Sequence, residues 1–255
     1  MTTALPLAPY EALSAVYDRW TAENDYPRWA DHLAGRFRAH GRVSRVLDVC
    51  CGTGTITRLL QERGLDVVGV DGSPGMLAAA RTRTAPGTEL LEVRLPGPVP
   101  LPAASFDAAV CCFDSVNYFR PDQLPQLFAG VAELVRPGGL FVFDVNTRHK
   151  LENLLGDSHY GDDLEEFAYV WRNRYHPEEH RCDFAISLFT QDGPGFVRQT
   201  ERHSQWWFDP AEIRSAAAAA GFETVGVEDD YQEREPGPQT LRETWTLVRR
   251  PAPTG

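Results

Sequence analysis

The apolar positions of this chain change period several times, and the first change is the sharpest. Val46, Leu47 and Val49 form a run broken only by Asp48, and after Cys50-Cys51-Gly52-Thr53-Gly54 the apolar residues Ile56, Leu59 and Leu60 return at helical spacing. That pattern predicts a buried strand, a glycine turn and a helix. A second run, Val67-Val68-Gly69-Val70, closes on Asp71 as the second strand of a βαβ unit would. Ahead of this core, Tyr10, Leu13, Val16, Tyr17 and Trp20 are spaced as one helix face. After a break at Asn24-Asp25-Tyr26-Pro27, a second helix is predicted through Trp29, His32, Leu33 and Phe37. Further on, Arg148 to Phe208 is too long for a plain loop. Phe167 to Tyr175 and Cys182 to Phe189 alternate at period two, and with Phe196 to Phe208 they predict a three-stranded antiparallel meander. A helix near 210–220 and strands near 222–229 and 241–249 complete the expected elements.

The glycine turn carries the first candidate chemistry. Gly52 and Gly54 allow a ligand close to the backbone and φ angles closed to other residues. Asp71, at the tip of the second strand, is placed to accept hydrogen bonds from ribose hydroxyls. A dinucleotide fingerprint would need a third glycine where Thr57 stands. Instead Asp48 precedes Gly52 by four positions, and a carboxylate there repels a pyrophosphate but attracts an ammonium or sulfonium group.

In its Asp-x-Cys-Cys-Gly-x-Gly turn the chain resembles the class I S-adenosylmethionine-dependent methyltransferases, of the bacterial small-molecule type. Three later segments add to the likeness: Asp71-Gly72-Ser73-Pro74-Gly75-Met76-Leu77; Ser105 to Tyr118, similar to the fourth strand; and Leu134 to Asp144, similar to the Arg-Pro-Gly-Gly turn into the fifth. The resemblance implies an α/β fold: a Rossmann-like seven-stranded sheet with helices on both faces, an N-terminal helical lid and an inserted antiparallel β-meander. It divides the chain into a lid (1–40), a cofactor-binding core (41–147 and 209–250) and a β-rich insertion covering the substrate (148–208). It implies S-adenosyl-L-methionine as cofactor, met by Asp48, Cys50, Gly52, Gly54, Asp71, Gly72, Met76 and Cys112, with Tyr17, Trp20 and Tyr26 closing over it. One position departs from the family: where members carry Gly-Asp to meet the adenine amino group, this chain has Pro96 and Gly97. No adenine acid is assigned.

Composition narrows the partners. A net charge of −11 argues against sequence-independent nucleic-acid binding, which draws its affinity from Lys and Arg on phosphates. No apolar run approaches a bilayer span, and Met1 to Pro9 lacks a basic and a long apolar segment, so no membrane association and a cytoplasmic enzyme are the expectations. A homodimer is compatible with the sequence. Lys150 is the sole lysine, the other basic residues being arginine, a bias that fits a GC-rich genome. The five cysteines form no C-x-x-C pair and no metal spacing; they are expected to be reduced, and no metal is expected.

Ligands of open α/β sheets bind outside the carboxyl ends of the strands. The acceptor is therefore expected between the loop after strand four, the end of strand five, the N-terminal segment and the meander. The candidate acceptor-binding residues are Tyr26, Asn117, Tyr118, Asn146 and Trp206. Methyl transfer from a sulfonium is an in-line displacement in which alignment supplies much of the catalysis. A base is needed only for a protonated acceptor, and His203 and Asp114 are its candidates, with Tyr17 and Tyr118 orienting the acceptor. A small, partly apolar or ring-containing acceptor suits the aromatic density. The alternative function is a protein of this fold that binds the same cofactor for a non-methylating cyclisation or rearrangement.

Overall fold

Both faces of the central strands are apolar, so the sheet they form has to be covered on both sides. The computed structural model describes residues 7–251. The first six residues of the expected lid and the tail after Pro251 lie outside the described residues. In chain order the elements are a 3₁₀ turn (Leu13–Ala15), α1 (Tyr17–Trp20), α2 (Tyr26–His40), β1 (Arg45–Val49), α3 (Thr55–Glu62), β2 (Asp66–Asp71), α4 (Pro74–Arg83), β3 (Leu90–Glu92) and β4 (Phe106–Cys111). A 3₁₀ turn (Ser115–Tyr118), α5 (Leu124–Leu134), β5 (Val135–Asn146) and a π turn (His149–Leu155) lead into β6 (His159–Asp163), β7 (Phe167–His176), β8 (Arg181–Asp192) and β9 (Gly195–Trp206). The chain ends with α6 (Pro210–Ala219), β10 (Phe222–Asp229) and β11 (Arg242–Arg249).

The main sheet has the seven strands that the resemblance implies, in the order β10-β11-β5-β4-β1-β2-β3. The strands from β3 to β5 are parallel, and β11 runs antiparallel to both of its neighbours. Leu47, Val68, Ala109 and Phe141 face one side, under α5 and α6. Val46, Val67, Ala108 and Val142 face the other, under α2 and α3. Because the order runs outward from β1 in one direction and from β4 in the other, the topological switch point falls between these two strands. Helix starts follow local chemistry: Asp25 caps α2, Ser73 caps α4 with Pro74 at the first turn, and Asp209 and Glu212 close a capping box on α6.

Two expectations change. The inserted sheet has four strands, β6-β7-β8-β9, where the sequence predicts three. The additional strand, His159–Asp163, is exposed throughout, so it lacks the alternation by which a half-buried strand is recognised. The face Tyr10 to Trp20 is also no continuous helix: Tyr10 has φ 64°, and only a 3₁₀ turn and the four-residue α1 are helical. The reason lies far along the chain. The amides of Tyr10, Ala12 and Leu13 donate to the carboxylate of Glu201 on β9, which stands in for helical carbonyl partners. The inner face of the second sheet then packs on this segment: Phe184 and Ile186 with Leu13 and Leu155, Phe167 and Leu188 with Ala12.

Candidate active site at the switch point

The turn after β1 bends through three left-handed residues, Cys50 (φ 59°), Gly52 (φ 56°) and Gly54 (φ 76°). The two glycines serve different ends. A Cβ on Gly54 would lie 2.9 Å from Thr84 Cγ2 and 3.1 Å from Ala80 Cβ, so this glycine lets α3 start against the end of α4. A Cβ on Gly52 would meet nothing within 4 Å, which leaves room for a ligand along the turn. Asp71 Oδ2 accepts the Gly52 N–H at 2.9 Å, and Oδ1 accepts the Ser73 N–H at 2.8 Å. A carboxylate has about four lone-pair sites, so each oxygen keeps one for a hydroxyl. The half-buried Asp71 and the open turn fit the ribose and close backbone approach of S-adenosylmethionine.

Other expected cofactor residues sit further back. Asp48 is buried and its Oδ2 accepts the Thr57 hydroxyl at 2.6 Å; burial pushes its carboxyl up to about 7, against the pull of that hydrogen bond. Met76 is buried in α4, where its amide is capped by Ser73 Oγ. Cys112 is buried against the α2 and α3 face, with its thiol pushed up by burial and by Asp144. Cys50 is half-buried beside the opposite core cluster, and Gly72 follows Asp71 at the mouth of the turn.

After β4 the chain makes a second unusual turn, with Phe113 (φ 61°) and Asp114 (φ 50°) consecutive in the left-handed region. Neither is glycine, and such backbone costs about 1–3 kcal/mol per residue. The buried Asp144 at the end of β5 holds it: its carboxylate accepts the amides of Phe113 (2.6 Å) and Asp114 and the hydroxyl of Tyr231. Arg242 lies between Asp114 (2.8 Å) and Asp144 (3.6 Å), its guanidinium over the rings of Trp29 (4.7 Å) and Phe113 (4.9 Å). Asp114 gives its other oxygen to Gln205 Nε2 at 2.6 Å. With both oxygens engaged, Asp114 is set as a wall of the site rather than as a free base.

A cavity of about 210 Å³ opens beside this turn, between the N-terminal segment, the end of β5 and the second sheet. Leu13, Trp20, Trp171, Phe184 and Ile186 give it apolar walls, and Tyr17, Asp114, Tyr118, Asn146, Lys150 and His203 add polar groups. Period two along β9 turns Glu201, His203 and Gln205 inward, all nearly fully buried. His203 Nε2 meets Glu201 Oε2 at 3.0 Å, and Nδ1 meets the Tyr118 hydroxyl at 3.3 Å. Burial pushes Glu201 up, but His203 and the amides of Leu13, Ala12 and Tyr10 outweigh it and leave the carboxyl below its ordinary value. A carboxylate only accepts, so in the neutral imidazole Nε2 carries the proton and Nδ1 accepts from the Tyr118 hydroxyl. Burial raises the phenols of Tyr10, Tyr17 and Tyr118, which keeps them protonated as donors.

The structure thus brings His203, Tyr17, Tyr118, Asp114 and Asn146 to one cavity and leaves three expected residues outside its lining. Asn117 spends its amide within the fold, accepting the Asn146 amide at 2.7 Å and donating to the Trp206 carbonyl at 2.8 Å. Trp206 packs against the core cluster under α5 and α6. Tyr26 packs on Trp29 and Phe113, at 5.1 and 5.7 Å between ring centroids. Sequence reasoning passed over Glu201, Gln205, Lys150, Arg242 and Tyr10. The first two carried a signal: polar residues at period two with His203 on one strand face. On the far side of the N-terminal segment, Asp18 in α1 pairs with Arg83 of α4 and accepts the Thr53 hydroxyl at 2.6 Å, while Arg83 donates to Thr53 and Thr55, both at 2.8 Å.

Comparison with known proteins agrees with this geometry. Residues 46–139, from β1 into β5, match a family model described as a methyltransferase domain. YqeM of Bacillus subtilis, which carries a methyltransferase name without a stated acceptor, is 28% identical over 91% of this chain and 94% of its own. A crystal structure of an S-adenosylmethionine-dependent methyltransferase from Clostridium acetobutylicum aligns with a TM-score of 0.84 and 26% identity, over 95% of this chain and 99% of that one. CalS10 of Micromonospora echinaspora, an amino pentose methyltransferase solved with S-adenosylmethionine bound, aligns with a TM-score of 0.72 and 26% identity, over 98% and 100%.

Proposed function

The chain belongs to the class I S-adenosylmethionine-dependent methyltransferases, and we propose that it methylates a small acceptor held in the aromatic cavity, with His203 as the base. The observation that carries this reading is the Glu201–His203 pair. It turns one basic nitrogen toward the Tyr118 side of a cavity at the carboxyl ends of β4 and β5, beside the switch point of the sheet. The cofactor supplies an electrophilic methyl group on a sulfonium, whose loss leaves a neutral thioether that needs no proton.

The chain's own residues do the rest. Gly52 and Asp71 hold the nucleoside end, and Asp48, when ionised, adds negative potential beneath the glycine turn. Tyr17, a protonated donor, orients the acceptor, and Tyr118, whose one hydroxyl proton goes to His203 Nδ1, stands as the relay between acceptor and base. Alignment of this kind contributes on the order of 7–11 kcal/mol to such reactions. His203 Nδ1 takes the proton that the acceptor loses, directly or through the Tyr118 hydroxyl, and Glu201 steadies the resulting imidazolium. A base in this role contributes about 10²–10⁴-fold. The N-terminal segment closes the site as a lid, held to β9 through Glu201 and to the glycine turn through Asp18 and Arg83. No helix among the described residues is long and apolar enough to cross a membrane.

Screening small molecules with methyl-labelled cofactor and reading product mass tests the proposal. A gain of one methyl group that falls at least about a hundredfold in His203→Ala, with cofactor binding intact, is the expected result. Products of unchanged mass would favour a rearrangement on the same cofactor, and a rate indifferent to His203 would remove it as the base.

A further inference from the structure

The cavity carries one charge with no partner, and it is positive. Lys150 enters the lining from the π turn after β5. Its Nζ donates to Asn146 Oδ1 at 2.7 Å. From there the polar groups run in one sense: Asn146 Nδ2 donates to Gln205 Oε1 at 2.9 Å, Gln205 Nε2 donates to Asp114 Oδ2 at 2.6 Å, and Arg242 donates to Asp114 Oδ1 at 2.8 Å. Each amide is thereby fixed in orientation, and the negative end of the chain is capped by an arginine. The ammonium at the other end has three donors and spends one. Among the described residues, no carboxylate pairs with it.

We propose that Lys150 receives an anionic group of the acceptor, a carboxylate in class, so that the substrate is a small acid with an apolar or aromatic body. The inference rests on the reading that this cavity takes the acceptor. Of the formally charged residues in the lining, Asp114 is already matched by Arg242 and Gln205. The carboxylate of Glu201, behind His203, is matched by three backbone amides. An ammonium-bearing acceptor would meet uncompensated positive charge, and a neutral one would leave the half-buried Lys150 without a counter-charge in a cavity whose walls include Leu155, Trp171 and Ile186. Burying an unpaired charge is costly, and a ligand anion offsets that cost. The amine responds as an unpaired one does: burial first, then Arg242, lowers it to about 8, against the opposing pull of Asp114, Asp144 and Asp230.

Because Lys150 is the sole lysine, lysine labelled with ¹³C at Cε gives one side-chain signal. The full chain, loaded with S-adenosylhomocysteine to prevent turnover, is titrated with benzoate and with its neutral isostere benzamide, while the His203 ring signals report cavity occupancy. Benzoate is expected to raise the Lys150 titration midpoint by about a unit and to bind roughly ten- to a hundredfold more weakly to Lys150→Met, with most binding restored in Lys150→Arg. Benzamide is expected to bind both forms alike. If both probes perturb His203 but benzoate gains nothing from Lys150, the anionic acceptor is overturned while the cavity reading stands. If neither perturbs His203, the cavity reading fails and this inference falls with it.

Discussion

Glu201→Gln is the perturbation that separates a lid held by chemistry from one that merely packs. The four donors on Glu201 are shared evenly: the amides of Ala12 and Leu13 reach Oε1, and the Tyr10 amide and His203 Nε2 reach Oε2. Glutamine has one acceptor oxygen and one NH₂. Whichever way the amide turns, two of the four donors face a donor. A hydrogen bond to a charged group is worth about 1.5–3 kcal/mol, so two lost bonds weaken the closed arrangement by about 3–6 kcal/mol. A tautomer change that lets His203 accept from the new NH₂ would recover about 1 kcal/mol, leaving about 2–5 kcal/mol. The assay is amide hydrogen exchange over residues 7–20 with S-adenosylhomocysteine bound. Since about 1.4 kcal/mol is tenfold, exchange should accelerate at least roughly thirtyfold, up to the limit of an unprotected chain. Protection within threefold of the unsubstituted protein, at unchanged overall stability, would refute the latch. Methyl transfer should fall in parallel, by as much as about a hundredfold, because the imidazole loses the carboxylate that orients it.

Asp71→Asn should weaken cofactor binding by about 1.5–3 kcal/mol for each ribose hydroxyl affected, read by calorimetry; unchanged affinity in a folded variant would remove the ribose assignment. Asp48 should make stability fall with pH: its carboxyl ionises near 3.8 when unfolded but near 7 in the fold, so the native state is favoured below the lower value and loses ground as pH rises to the upper one. Asp48→Asn should therefore gain stability relative to the unsubstituted protein between pH 4 and pH 8, by about 4 kcal/mol at most, in urea unfolding of the cofactor-free chain. Glu201 has the opposite sign: its depressed carboxyl stabilises the latch above the ordinary glutamate value, and protection of residues 7–20 should be lost as pH falls through and below that value. Arg83→Met should loosen the other end of the segment by about 1 kcal/mol, since the ion pair is partly exposed, and exchange of residues 17–20 is the readout.

The central parallel strands β1, β2, β4 and β5 were legible because they are largely buried and read as apolar runs ending in a turn, whereas the three-residue, half-exposed β3 showed no such run. Asp71 and Gly52 were legible for a related reason, since their places at strand ends follow from the period of the runs before them. What escaped depended on distance along the chain. The short turns of Tyr10 to Trp20 keep helical spacing of their aromatics, yet the backbone is drawn out by a carboxylate nearly two hundred residues later, and no local pattern records that. β6 escaped because an exposed strand has no alternation to show. Asn117 and Trp206 were read as acceptor contacts from their position after β4 and on β9, but Asn117 turned out to tie those two elements to the end of β5. Lys150 was visible only as a compositional oddity, and its meaning needed the amide chain that ends on it.

The segment between Tyr10 and Asp18 joins two parts of the site that are otherwise separate. At one end its backbone satisfies Glu201, the residue that sets the His203 tautomer; at the other its Asp18 is bound to Thr53 in the glycine turn and to Arg83. Between these anchors Tyr10 stands against the His203 ring at 5.0 Å and Tyr17 edge-on to Phe113 at 6.3 Å. As the proposed lid, the segment would therefore do more than cover the cavity. It supplies the amides that hold Glu201 ionised in a buried place, and with it the hydrogen bond that turns the basic nitrogen of His203 toward Tyr118. In the proposed reading of this segment as a lid, opening it would leave Glu201 free to hydrate and His203 free to rotate, so the proposed base would be assembled only when the cofactor turn is also clasped. Such coupling keeps an electrophilic methyl group and a competent base from coexisting in the presence of bulk water.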